Sequence, residues 1–142
     1  MQAVGLRASE VFEHAGDVLD VDDIEHVHDM RVATRRLRAA MEVFEPCFPR
    51  KRHRKALKRV KRLADALGER RDRDVQIEMV EGFFAELPES DHDALRGLLA
   101  ELHREQAAAN EALGPSVSER RLEKLRARLG RLLEADGVEV RG

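Results

Sequence analysis

The stretch "VHDMRVATRRLRAAMEVFEPCF", Val27–Phe48, joins a helical apolar repeat, a run of arginines and a proline stop. On a wheel of about 100° per residue, Met30, Ala33, Leu37, Ala40, Met41 and Phe44 gather on one side and form the expected core stripe. His28, Arg31, Arg35 and Arg38 follow one another at spacings of 3, 4 and 3 and make a second stripe roughly opposite, with Arg36 on its flank. Pro46 and Pro49 both oppose helix continuation. The pattern therefore predicts a two-faced helix from about Ile24 to Glu45, with Asp22 or Asp23 as its N-cap.

Working outward, the segment Arg50–Leu67 repeats the design. Ala56, Leu57, Val60, Leu63, Ala64 and Leu67 read as a buried face, and Lys51, Arg54, Lys55, Lys58, Lys61 and Arg62 cover the opposite arc. Gly68 is a C-terminal signal for this helix. Further helices are expected at Gln2–Leu19, from Arg71 or Asp72 to Leu87, from Asp91 to Leu113, and from Ser116 or Ser118 to Ala135. No alternation lasts long enough to build a sheet. The expected fold is all-α, an antiparallel bundle of about six helices in one domain, 1–142. It divides into a basic region 26–75, an acidic helical remainder 76–136 and a short frayed tail 137–142.

Composition agrees with this class. The 142 residues are 42% hydrophobic, 38% charged and only 4% aromatic, as in a Leu/Ala-packed helical protein. The single cysteine, Cys47, excludes an internal disulfide and reads as a small packed residue. With no apolar run of about 18 residues, a membrane span is not expected, and the expected compartment is the cytoplasm. Net charge is −2, but it is unevenly placed. Arg31–Arg73 holds 16 Lys/Arg against 5 Asp/Glu, and the rest holds 10 against 23. Such asymmetry is an argument about partners: one region should attract anions while the remainder keeps the molecule soluble.

A charged helix face is ordinarily a solvated surface. Here one sign dominates, and Arg31/Arg35, Arg54/Lys58 and Lys58/Arg62 are like-charge pairs at i, i+4, which stability alone would disfavour. Arginine offers a planar fork for phosphate oxygens and lysine a compact point charge, so a mixed surface suits repeated phosphates. The chain has no Tyr or Trp and no Phe within the basic faces, so stacking platforms for single-stranded nucleic acid are missing. Nothing matches a base-reading motif, and a non-specific nucleic-acid-associated protein using the same patch is the alternative. His28 opens the arginine stripe and reads from its position alone as an exposed helix-start histidine. The six histidines form no compact ligand motif, so no metal and no cofactor are expected. In "GERRDRDV", Gly68–Val75, Asp72 is a candidate cap beside Arg71 and Arg73, and no phosphate-cradling GxxxxGK[ST] loop accompanies it. The chain is read as a binding module rather than an enzyme.

These elements together resemble the CHAD family, the conserved-histidine α-helical domain. Its leading signature stands here as His28-Asp29-Met30-Arg31-Val32-Ala33-Thr34-Arg35-Arg36-Leu37-Arg38. The Lys/Arg-rich helix follows as "KRHRKALKRVKRLADALG", and the family's junction appears as Gly68, Arg71, Asp72, Asp74 and Val75. The resemblance implies a helical domain that binds inorganic polyphosphate through a basic surface, and association with polyphosphate granules is the expected location for such a cytoplasmic module. Carried over by position, it implies contacts from His28, Arg31, Arg35, Arg36 and Arg38, joined by Lys51, Lys55, Lys58 and Arg62 and by Arg71 from the junction. It gives Asp72 and Asp74 the work of orienting these cations and capping a helix. Family members typically hold two related helical halves, whereas this chain matches one, half of a two-bundle arrangement. A symmetric homodimer is the expected way to restore the larger form.

Overall fold

The computed structural model describes residues 2–134. Five α-helices follow one another: α1 (Gln2–Glu13), α2 (Glu25–Val43), α3 (Arg50–Glu86), α4 (His92–Leu113) and α5 (Glu119–Glu134). Short 3-10 turns lie at Glu45–Cys47, Glu89–Asp91 and Gly114–Val117, each beside a proline. No strand occurs among the described residues, and the architecture is an all-helical bundle. The tail expected to fray lies outside them.

α2 follows the sequence reading closely. Met30, Leu37 and Met41 are fully buried, Ala33 nearly so, and Ala40 and Phe44 pack against the same core. The expected cap at Asp22 or Asp23 is not formed: Ile24 is the N-cap and no side chain caps the helix, because the Asp23 carboxylate is spent on a local turn, accepting from the Glu25 amide at 3.2 Å. α1 ends at Glu13, earlier than its pattern suggests, because the chain reverses through Asp17 at φ 57°. Asp tolerates that left-handed conformation better than most residues, and the reversal drops Val18 into the core.

The main difference from expectation is α3. The two helices expected on either side of Gly68 are one helix of 37 residues, about 55 Å at about 1.5 Å per residue. A lone glycine costs a helix only about 1 kcal/mol relative to alanine, and packing on both sides outweighs it. The buried residues show why: His53, Ala56, Val60, Leu63, Leu67, Arg70, Asp74 and Ile77 continue one alternating spacing of 3 and 4 straight through the glycine, and Val80 follows one further turn on. Asp72 is consequently an exposed residue inside α3 and caps nothing.

The N-terminal part of α3 packs with α1, α2 and α5 around the main core, which includes Val4, Val11, Leu37, Leu67, Leu129 and Leu133. Beyond Arg70, α3 pairs with α4 as a hairpin with a smaller core of Ile77, Val80, Leu95 and Leu102. His53 locks the corner between α2 and α3. It is buried, its Nε2 donates to the Met41 carbonyl at 2.6 Å, and its ring stacks on Phe48. Cys47 in that corner is exposed rather than packed, because the 3-10 turn holds it outside while Phe48 enters the core.

A Cβ built at Gly68 would meet Arg31 Nε at 3.6 Å, an ordinary contact. Gly68→Ala is therefore expected to raise stability by about 0.5–1 kcal/mol through helix propensity. Urea unfolding at constant m-value checks this, and a destabilised variant would mean that α2 and α3 approach more tightly there.

Candidate anion-binding surface

The structure distributes the candidate cations over three depressions. Between α2 and α3, Arg31, Arg35 and Arg38 face Asp65, Glu69 and Asp72, with Gly68 at the floor. Between α1 and α2, His28 and Arg36 share a depression with Glu10, Glu13 and Asp29. Between α3 and α5, Lys55, Lys58 and Arg62 are joined by Arg59 and Arg128. Lys51 is exposed on the first turn of α3, and Arg71 is half-buried in its middle. His28 thus belongs with Arg36 on the α1 side, and Arg31, Arg35 and Arg38 belong to the α3 side.

Most of these charges lack a counter-charge. Among the described residues, only Arg38 of the candidate set has a carboxylate within 4.0 Å, Glu42 at 3.1 Å. Glu42 also reaches Lys61 at 4.0 Å, so it ties α2 to α3 at the rim of their groove. The carboxylates of Asp65, Glu69 and Asp72 share the groove with Arg31 and Arg35 without pairing to them. One nitrogen of His28, Nδ1, is buried and has no hydrogen-bond partner, as has Nη1 of Arg71. Each is a donor or acceptor left open where a buried group would ordinarily be satisfied. Thr34 is the reverse case: it is buried and its hydroxyl donates to the Met30 carbonyl at 2.7 Å.

Arg70 is the structural residue that pattern reading missed. It is fully buried at the point where α3 leaves the main bundle. Its Nε donates to Asp74 Oδ1 at 2.9 Å. Its Nη1 donates to the Val18 carbonyl at 3.1 Å and to Asn110 Oδ1 at 2.8 Å, and its Nη2 to the Asp20 carbonyl at 3.2 Å. Gln106 Nε2 donates to the same Asp74 oxygen at 2.7 Å, and Asn110 Nδ2 to the Leu19 carbonyl at 3.0 Å. One guanidinium therefore fixes the α1–α2 connection, α3 and α4 together. Asp74 orients this arginine and not Arg71, its sequence neighbour in the junction. The available signal was Arg70 and Asp74 falling on the apolar 3–4 spacing, where a charged residue must be paired to be tolerated.

The second missed contribution comes from α5. Arg121 lines a depression with Arg59, Arg62 and Ser116, and Arg128 closes the adjoining one. Burial, and then the nearby charges of Arg59 and Arg131, hold the Arg128 guanidinium below its ordinary pKa. Arg126 is turned inward instead, over the Phe12 ring at 4.6 Å, and fastens α5 to α1.

No aromatic ring stands on these cationic faces. Phe12 and Phe48 are in the core, Phe44 packs against it, and Phe83 and Phe84 pack in the hairpin. Among the described residues, no group of three or more His, Cys, Asp or Glu is placed to hold a metal, and no helix is long and apolar enough to cross a membrane. No curated protein and no solved structure matches the chain significantly. The family model of the CHAD domain matches residues 2–141. With that match over nearly the whole chain, the chain belongs to the CHAD domain family.

Proposed function

We propose that this domain is a binding module for inorganic polyphosphate, held along the cationic faces of α2 and α3. The observation that carries the reading is the set of cations without counter-charges: among the described residues, Arg31, Arg35, Arg36, Lys51, Lys55, Lys58 and Arg62 have no carboxylate within 4.0 Å. A linear polyanion supplies those counter-charges in series. Guanidinium forks grip two oxygens of one phosphate, and lysines neutralise neighbouring ones. Binding is multivalent, so affinity should grow with chain length. By analogy with DNA it also releases condensed counterions and should fall steeply with salt.

The reading is one of binding rather than turnover. Thr34 is committed to the Met30 carbonyl, and Cys47 sits in the α2–α3 corner outside the three depressions. A filter-retention or gel-shift series with polyphosphates of graded length, with duplex DNA as competitor at equal charge, tests it. The expected result is affinity rising with length and DNA competing weakly. Equal competition by DNA would replace this reading with general polyanion attraction, and phosphate release with or without magnesium would make the protein an enzyme.

A further inference from the structure

The cleft between α3 and α5 differs in kind from the α2–α3 groove. Arg59 and Arg62 line both of its adjoining depressions, so Arg121 at one end and Arg128 at the other belong to one continuous feature. No carboxylate lines it, and among the described residues none of these four arginines has one within 4.0 Å. Its floor is Leu63 and Leu125, both nearly buried, and Ser116 adds a hydroxyl. The walls are set by the packing of α3 and α5 on the main core through Leu63, Leu125 and Leu129. Arg128 is half-buried beside Arg59, and burial first, then the charges of Arg59 and of Arg131 outside the cleft, hold its guanidinium below its ordinary pKa. The α2–α3 groove instead interleaves its arginines with Asp65, Glu69 and Asp72.

Two such sites discriminate between parts of a phosphate chain. Interior phosphates carry one negative charge each. A terminal phosphoryl group has a second ionisable proton, with a pKa near about 6 in phosphate esters, and so carries close to two charges on three oxygens. Carboxylates in the α2–α3 groove repel the denser charge most. A carboxylate-free arginine cluster favours it most, and guanidinium forks match its oxygens. We propose that the α3–α5 cleft is a terminus site, which seats the doubly charged end of a linear oligophosphate or polyphosphate chain. This rests on the polyphosphate reading and adds a specificity to it.

Isothermal titration of the full chain with linear tripolyphosphate and with cyclic trimetaphosphate, which has no terminus, tests the assignment. The wild type is expected to prefer the linear form by at least about ten-fold, the worth of one good charge-assisted contact. R59Q/R128Q should lose most of that preference, whereas R31Q/R35Q should keep it. R59K/R128K, which retains charge and lacks the forks, should lose the greater part as well. Circular dichroism melting confirms that each variant is folded. A preference that persists in R59Q/R128Q, or that falls equally in R31Q/R35Q, overturns the assignment, because both would follow from overall charge alone. Long-chain polyphosphate in the same assay separates the two failures. A wild type that binds the long chain without preferring linear over cyclic trimer loses the terminus site only, and one that binds neither loses the polyphosphate reading too.

Discussion

Arg70→Ala is expected to lower the unfolding free energy by about 3–5 kcal/mol, the range for removing one partner of a buried ion pair. The large value follows from what is left behind. Asp74, 1% exposed in the structure, would keep only the Gln106 amide as a hydrogen-bond donor and no counter-charge, while its Oδ2 already has no partner among the described residues. The carbonyls of Val18 and Asp20 would each lose a donor. Arg70→Met/Asp74→Leu should recover much of the loss, since an apolar pair of similar volume leaves no buried charge. Chemical denaturation of the wild type and the two variants checks this. An Arg70→Ala cost below about 1 kcal/mol, the scale of an exposed pair, would show that water reaches the site.

Charge reversal at Arg35 and Lys58 together is expected to abolish polyphosphate retention at moderate salt without unfolding the domain. Both side chains are exposed and neither is part of the core. The change is four units of charge on two neighbouring helices. At up to about 1 kcal/mol per exposed unit, the loss is about 2–4 kcal/mol, on the order of 100-fold in affinity. The salt dependence should flatten as well, because fewer counterions are released on binding. Retention of long-chain polyphosphate by R35E/K58E, with an unchanged melting temperature, would place the binding surface elsewhere.

The parts of the fold that were legible in the sequence are those written as a period. Met30, Leu37 and Met41 on α2, and Ala56, Val60, Leu63 and Leu67 on α3, declared their faces by spacing alone, and all are buried. The end placed at Gly68 was not real, because a local helix signal of about 1 kcal/mol competes with the packing of 37 residues. Arg70 was hidden by its company: in "ERRDRDV" it looks like one more surface charge, and only its place in the 3–4 spacing separates it from Arg71. The α5 cations were hidden by regional arithmetic. Glu119–Glu134 holds six Lys/Arg against three Glu, a local excess that disappears when 76–136 is summed as one acidic block. Proximity to Arg59 and Arg62 came from tertiary packing, which no local pattern encodes.

The unbroken α3 also has a consequence for the proposed encounter with a polyanion in solution. Its first turn holds no acidic residue and its last turn no basic one. Helices are usually stabilised by the opposite assignment, since their peptide groups sum to about half a positive charge at the N-terminus and half a negative charge at the C-terminus. Here backbone and side chains add: Arg50, Lys51 and Arg52 stand at the positive pole, and Glu81 and Glu86 near the negative one. The poles are about 55 Å apart, several times the screening length of about 8 Å at physiological ionic strength. An incoming chain therefore feels the near pole without cancellation from the far one, and the torque on the rod turns its cationic end forward before any contact forms. Orientation of this kind raises encounter rates by about 10-fold or more and fades as salt is added. In the proposed binding mode the same rod would keep its acidic hairpin trailing, clear of the polymer.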